Sequence, residues 1–203
     1  MIRVANGVVV SAAVEGVVDE AIIRVLLTNV GVNAGPVFGK QGKSHLQQKI
    51  GGYNNAAQRA PWIVLVDLDR DHECAPLLRN SWLPQPAPLL CFRIAVRAVE
   101  AWLLADAERL SMFLGVSRSK VPANPENLDD PKTDIVNLAR SSSRRAIRED
   151  MVPREASGRQ VGPAYTSRLI EFVSSSWRPR VAARRSDSLN RAINCLKRFA
   201  KSK

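Results

Sequence analysis

An α/β fold with a mostly parallel sheet flanked by helices, and a basic helical C-terminal extension, follows from three observations on this 203-residue sequence. Short apolar runs rich in β-branched residues alternate with stretches of helical periodicity as far as residue 114. A polar segment rich in Pro, Asn and Asp, from Pro122 to Pro131, then ends the alternation, and only helical patterns follow it. Finally, residues 134–203 hold sixteen Lys/Arg against six Asp/Glu, a net of +10, whereas residues 1–133 hold fourteen against thirteen. The expected organisation is an α/β domain over residues 1–121 and a basic, mainly helical extension over 122–203 that packs on it.

Val8–Val14 is apolar and β-branched and reads as a buried strand. Glu15-Gly16 ends it. Asp19-Glu20 opens a helix to about Asn29, with Ile22, Ile23, Leu26 and Leu27 on one face. Gly31, Gly35 and Pro36 mark a loop around a short strand near Val37-Phe38. Ser44 is a fitting N-cap for a polar helix through about Ala57. Trp62–Asp67 is the clearest strand. A connection containing Pro76, Pro84, Pro86 and Pro88 leads to another strand, Leu89–Val96. One long helix is expected over Arg97–Leu114, closed by Gly115. Beyond the polar segment, helices are expected over Lys132–Arg140, through the arginine-rich stretch to about Ser157, over Pro163–Ser174, and over Ser188–Lys201. The last carries Leu189, Ile193, Leu196 and Phe199 at helical spacing, and Ser186-Asp187-Ser188 suits its cap.

The composition, 45% hydrophobic and 24% charged, is that of a globular chain and excludes wholesale disorder. The longest apolar runs, 62–66 and 98–105, fall short of the ~20 residues that cross a bilayer. The N-terminus lacks a basic start and a small-residue cleavage site, so no signal peptide is expected. Cys74, Cys91 and Cys195 show no paired spacing, which argues for a reducing cytoplasm and against a cysteine zinc site. The surplus positive charge has two readings, a solvated basic surface or contact with a polyanion such as nucleic acid.

Carboxylates fall where an α/β sheet puts its chemistry, outside the carboxyl ends of the strands. Glu15 ends the first strand, Asp67 and Asp69 end the strongest, and Glu100 opens the helix after the strand at 89–96. If those strands are parallel neighbours, Glu15, Asp67 and Asp69 converge. Two unit charges ~4 Å apart repel by about 4 kcal/mol at an effective dielectric near 20. Such a cluster calls for a hard divalent cation, Mg²⁺ or Mn²⁺, which binds all-oxygen ligands and can activate water toward phosphorus. The plainer reading is that acidic residues punctuate strand ends and cap helices. It is preferred for Asp71 and Glu73.

Val14-Glu15-Gly16 with Asp19-Glu20, followed by Ile63-Val64-Leu65-Val66-Asp67-Leu68-Asp69, resembles the Toprim domain of topoisomerases, primases and overcoming-lysogenization-defect-type nucleases. More narrowly, Arg93-Ile94-Ala95-Val96-Arg97-Ala98-Val99 running into Glu100-Ala101-Trp102-Leu103-Leu104-Ala105-Asp106 resembles the DUF4276 family of Toprim-like bacterial proteins, as do Asp130-Pro131-Lys132 and the basic tail. The resemblance covers most of the chain. It implies that Glu15, Asp67 and Asp69 are metal ligands, with Glu15 also able to act as acid or base. It makes Glu100, a candidate auxiliary catalytic residue, and with it Asp106, family-specific acidic residues near the same edge; a first-turn glutamate favoured by the helix dipole is the equal alternative for Glu100, and a structural role is preferred for Asp106. It further implies an ATPase partner in an anti-phage module.

Other motifs fail on spacing. Gly39-Lys40-Gln41-Gly42-Lys43-Ser44 suggests a phosphate loop, but position 37 is Val where the pattern needs Gly. Asp67-Leu68-Asp69-Arg70-Asp71 suggests a calcium loop, but His72 and Leu78 stand where Gly and Glu are required. The same stretch is similar to the nucleophile motif of haloacid-dehalogenase-type phosphatases, though those carry it on their first strand. His45 and His72 are the only histidines, too few for a zinc site of four ligands. Trp177 beside Arg178 and Arg180 suits stacking on a base or, as a better fit, core packing.

The leading expectation is a cytoplasmic, Mg²⁺- or Mn²⁺-dependent nuclease acting on DNA or RNA. Its expected nucleic-acid contacts are Lys40, Lys43, Lys132, Arg144, Arg145, Arg178 and Arg180. The alternative is a non-catalytic partner subunit that binds nucleic acid or an ATPase. A small-molecule phosphatase is the weakest reading.

Overall fold

The computed structural model describes residues 7–201. Four strands, β1 (Val9–Val14), β2 (Asn33–Gly39), β3 (Trp62–Asp67) and β4 (Leu90–Ala95), form one sheet in the order β2-β1-β3-β4. Every neighbouring pair is parallel. Helices α1 (Val17–Val30), α2 (Lys43–Ala56) and α3 (Ala75–Trp82) follow the first three strands. After β4 the chain is helical: α4 (Val99–Leu104), α5 (Ala107–Leu114), α6 (Pro131–Arg140), α7 (Arg145–Met151), α8 (Tyr165–Ser175), α9 (Pro179–Ala182) and α10 (Asp187–Lys201).

The unbroken apolar run at 62–66 has a simple cause: both faces of the sheet are covered. Ile63 and Leu65 enter one core with Val10, Ala12, Val14, Cys91 and Ala95, against α1 and the later helices. Val64 and Val66 enter a second core with Ala13, Leu90, Phe92 and Ile94, against α2 and α3. Successive residues thus alternate between the two cores, as the period of a strand requires.

The C-terminal helices belong to the first core. Phe172 of α8 packs with α1, and Leu189, Ile193, Leu196 and Phe199 of α10 pack on β4 and α1. Two polar nodes fix them. Glu126 accepts from the backbone N–H of Asp187 (3.2 Å) and Ser188 (3.0 Å), and from the Ser186 hydroxyl (2.6 Å), so it caps α10. The Ser188 hydroxyl accepts in turn from Trp102 Nε1 (2.7 Å) and from the N–H of Val96 (3.2 Å). In the second node, Asp106 receives the Arg178 backbone N–H (3.0 Å), Nε (3.0 Å) and Nη2 (2.6 Å).

Several expected boundaries move. The helix expected over Arg97–Leu114 breaks into α4 and α5, because Asp106 accepts from the N–H of Arg109 and starts a new helix. The proline-rich connection contains α3, with a proline in its first turn, where no N–H partner is lost. The short strand near Val37 extends over Asn33–Gly39 because β1 supplies a parallel partner. Gly42, not Ser44, is the N-cap of α2. The arginine-rich helix spans only Arg145–Met151. Cys91 on β4 and Cys195 on α10 are joined as a disulfide, with a Cα separation of 6.0 Å, where unpaired thiols were expected. The pair is 104 residues apart, so only the fold brings it together. Cys74 is free and exposed. Among the described residues, no helix is long and apolar enough to cross a membrane.

Candidate functional site: an acidic cluster at the carboxyl end of the sheet

Because the strands are parallel, the residues that follow β1, β3 and β4 emerge on one side. Glu15 leaves β1 and accepts the backbone N–H of Asp67 at 2.8 Å through Oε1. Asp67, the last residue of β3, accepts the N–H of Val99 at 3.0 Å, and so holds the start of α4. Asp19 accepts the N–H of Gly16 at 2.6 Å in the first turn of α1. Glu100, in the first turn of α4, accepts the Tyr165 hydroxyl at 3.3 Å. Glu15 and Asp67 are therefore directly linked, and Asp19 and Glu100 stand close enough to perturb Asp67 electrostatically.

Burial dominates the protonation of this group. It pushes the Glu15 carboxyl up to about 7, with the Asp67 N–H bond and Lys43 opposing and Asp69 and Asp71 adding to the rise. Burial likewise raises Asp19 to about 7, against the Gly16 N–H bond, with Glu15 and Glu100 adding repulsion. Asp67 rises well above the usual carboxylate range through burial and then through Asp19, Glu100, Glu15 and Asp69. Glu100 is raised by burial, with Lys132 the largest opposing influence. Four carboxyls in one enclosed place, each favouring its proton, is an arrangement short of positive charge.

Lysine supplies part of it. Lys43, at the start of α2, places its ammonium 2.6 Å from the Asp67 carbonyl oxygen, 2.8 Å from Asp69 Oδ2 and 2.7 Å from Asp71 Oδ2. Lys132, in the first turn of α6, lines a cavity of about 340 Å³ with Asp67, Asp69, Asp71 and Asp130. Asp130 caps α6 through the Thr133 N–H (3.0 Å) and hydroxyl (2.8 Å). The rim is built from unusual backbone. Asp69 (φ 51°) and Arg97 (φ 61°) are both left-handed, and the Asp69 N–H donates to the Arg97 carbonyl at 2.7 Å. Non-glycine residues in that conformation are uncommon and gather at functional sites. Gly39, at the end of β2, is left-handed as well. Its φ is 84°, and any Cβ there would collide with the Val14 carbonyl oxygen, which accepts the Lys40 N–H at 2.8 Å.

The expected ligands therefore divide. Glu15 and Asp67 meet in the cluster, while Asp69 points its carboxylate at Lys43 on the cavity rim. Glu100 lies within the buried group. Of the expected basic contacts, Lys132 lines the cavity and Lys43 pairs with Asp69 and Asp71 on its rim. Lys40 pairs with Glu20 (2.9 Å), Arg145 with Glu149 (2.7 Å) and Arg178 with Asp106, while Arg144 bonds the Phe113 carbonyl and Arg180 bonds Asn29. Trp177 is buried, and its Nε1 donates to the Trp102 carbonyl at 3.3 Å. Sequence reasoning left Asp19 and Tyr165 out of the site. The spacing Glu15-Gly16-x-x-Asp19 was the available signal for Asp19. Tyr165 carried none.

No protein family, curated protein or solved structure matches this chain.

The donor set is all oxygen and outnumbers the cations that face it, which is the ligand chemistry of a hard divalent ion. Among the described residues no three His, Cys, Asp or Glu side chains already stand in a metal-holding arrangement. Each cluster carboxylate bonds a protein N–H or O–H instead.

Proposed function

We propose that this chain is a Toprim-like, divalent-metal-dependent nuclease that hydrolyses phosphodiester bonds in DNA or RNA. The observation that carries the reading is the convergence of Glu15, Asp19, Asp67 and Glu100 at the carboxyl end of a parallel sheet, each with its proton affinity raised. Glu15 and Asp67 would hold the ion, with Asp69 reaching it from the rim. A bound Mg²⁺ or Mn²⁺ supplies charge for the phosphoryl oxygens and lowers the pKa of water. The protein does the remainder. Lys132, which lines the cavity, would orient a phosphate, while Lys43 holds Asp69 and Asp71 at its rim. Asp67 keeps α4 in register through the Val99 N–H. Glu15, with a proton affinity near neutrality, is suited to accept a proton at the carboxyl oxygen not bonded to Asp67. A nuclease assay of the purified chain with Mg²⁺ or Mn²⁺, alone and with an ATPase partner, tests this. Activity that survives Asp67→Asn sinks it.

One observation favours a second reading, a non-catalytic subunit that binds nucleic acid or an ATPase. The Lys43 ammonium already sits among Asp67, Asp69 and Asp71 as an internal counter-ion. Unchanged biological output of a Glu15→Gln, Asp67→Asn double variant would establish it over the nuclease.

A further inference from the structure

Three aromatic rings gather over β1 on the side of the sheet that α2 covers. Phe38 of β2 pairs with Ala13, and Trp62 of β3 pairs with Ser11, so the β1 member of each row is small. With little bulk between them, the Phe38 and Trp62 rings meet across β1 at a centroid distance of 5.4 Å, inclined by 26°. Tyr53 of α2 closes the group, 5.5 Å from Trp62 and 6.5 Å from Phe38. Tyr53 and Trp62 are half-buried. Phe38 is 45% exposed, so the side of its ring turned from Trp62 is open.

The chain around these rings carries no acid. Between Glu20 and Asp67 the sequence has no Asp or Glu, yet it holds Arg24, Lys40, Lys43, Lys49 and Arg59. That stretch includes β2, α2 and all of β3 but its last residue, the elements that present the rings. Arg24 and Lys40 are taken by Glu20, and Lys43 by Asp69 and Asp71. Lys49 and Arg59 are exposed and have no ion-pair partner among the described residues. Lys49 precedes Tyr53 by four residues and so shares its flank of α2. Asn54 reaches the other way, to Gln85 (3.4 Å) and Ala87 (2.7 Å) before β4, which leaves the Lys49–Tyr53 flank toward β2. Arg59 lies in the turn between α2 and Trp62. Gly51 and Gly52 add a separate observation. A Cβ at either would meet nothing within 4 Å, so packing gives no reason for glycine, which weakens a helix interior. Bare backbone beside Tyr53 lets a bulky ligand come close.

An occupant of this patch must offer a flat apolar face and negative charge together. The open apolar surface is one side of one ring and parts of two others, against the ~800 Å² per partner of a stable protein interface. It suits a base, and the unpaired cations beside it suit phosphates. We propose that the patch formed by Phe38, Trp62 and Tyr53 seats a single-stranded nucleic acid, with a base on the open side of Phe38 and the backbone running past Lys49 and Arg59. Ala13, the partner of Phe38, stands two residues before Glu15, so the seat lies beside the acidic cluster. It does not require that cluster to cleave the strand.

The test measures fluorescence anisotropy of a labelled short oligothymidylate with the whole chain in EDTA, where no metal contributes and no cleavage occurs. Failure of the nuclease reading therefore leaves the result intact. An abasic oligomer of the same length, which keeps the phosphates and lacks the bases, is titrated beside it. The oligothymidylate should bind saturably, and the abasic oligomer about tenfold more weakly. Phe38→Ala should weaken the oligothymidylate about tenfold and leave the abasic oligomer unchanged, while Phe38→Tyr keeps the affinity. Lys49→Gln, at an exposed position that keeps the fold, should weaken both oligomers and lower the salt slope by about 0.7. No binding, equal affinity for the two oligomers, or affinity for the oligothymidylate unchanged in Phe38→Ala or in Lys49→Gln would overturn the proposal. Self-association of the chain that Phe38→Ala abolishes would overturn it as well, by assigning the patch to a second copy.

Discussion

Glu15 and Asp19 keep their protons in the folded chain to about pH 7, whereas free carboxyls release them near 4.5 and 3.8. In that window the folded state binds more protons than the unfolded state, so stability falls as pH rises through it and levels off above. This is opposite in sign to a salt-bridged carboxylate. In EDTA, the urea midpoint should therefore decline between about pH 5 and about pH 8. Glu15→Gln, which cannot titrate, should flatten part of that decline, and an unaltered slope would contradict the assignment. Asp67→Asn should act differently. Its amide oxygen can still accept the Val99 N–H, so the fold should survive, and if the chain is the proposed nuclease its metal-dependent cleavage of a labelled oligonucleotide should drop by about 100-fold or more.

At the scale of elements, the Asp106–Arg178 node joins the α4–α5 break to the segment before α9. Asp106 is fully buried, so removing the guanidinium leaves its carboxylate with only the backbone N–H groups of residues 109 and 178. Arg178→Ala should cost ~3–5 kcal/mol in denaturant unfolding. Arg145→Ala, which removes only an exposed pair, should cost under about 1 kcal/mol. Gly39→Ala should also destabilise, by more than ~1 kcal/mol, because it combines positive φ with a collision against β1. The same elements show what was legible in advance. β1, β3 and β4 read clearly because burial on both faces leaves long apolar runs, and parallel order then delivered Glu15 and Asp67 together. The break at Asp106 was not legible. No Gly or Pro marks it, and the guanidinium that satisfies Asp106 lies 72 residues later. Helix α3 was hidden among prolines that suggested a loop. Asp19 looked like a first-turn helix acid, and only the neighbouring strand ends make it part of the cluster.

For the whole molecule, the net charge of +11 overstates how much positive surface is available. Arg148 donates to the Ser142 carbonyl, Arg168 pairs with Asp150 and Glu171, and Arg185 donates to the carbonyls of Pro122 and Ala123 at 2.7 Å. These arginines tie segments of residues 122–203 to one another, a use that composition does not distinguish from binding a polyanion. Ligand linkage reads the other half of the charge distribution. If the acidic cluster binds Mn²⁺, a concentration of about 100 times Kd should add roughly 2.7 kcal/mol of stability, and Glu15→Gln should abolish most of that gain. A thermal midpoint indifferent to Mn²⁺ in the wild type would count against a metal role for these carboxylates.

Pro36 belongs to β2, which is an outer strand of the sheet, and it sits where the pairing with β1 slips between Val10 and Ala12. Proline offers no N–H, and the bulge bends the strand locally. Nearby Phe38 is 45% exposed on the same strand, stacked on Trp62. An open border with an exposed aromatic invites a strand from another molecule, and a missing donor at a kink refuses it. The proline thus bears on how crowded copies of the chain behave rather than on how one copy folds: with Pro36 intact, the β2 border is kinked and lacks a donor where a strand of a second copy would have to pair.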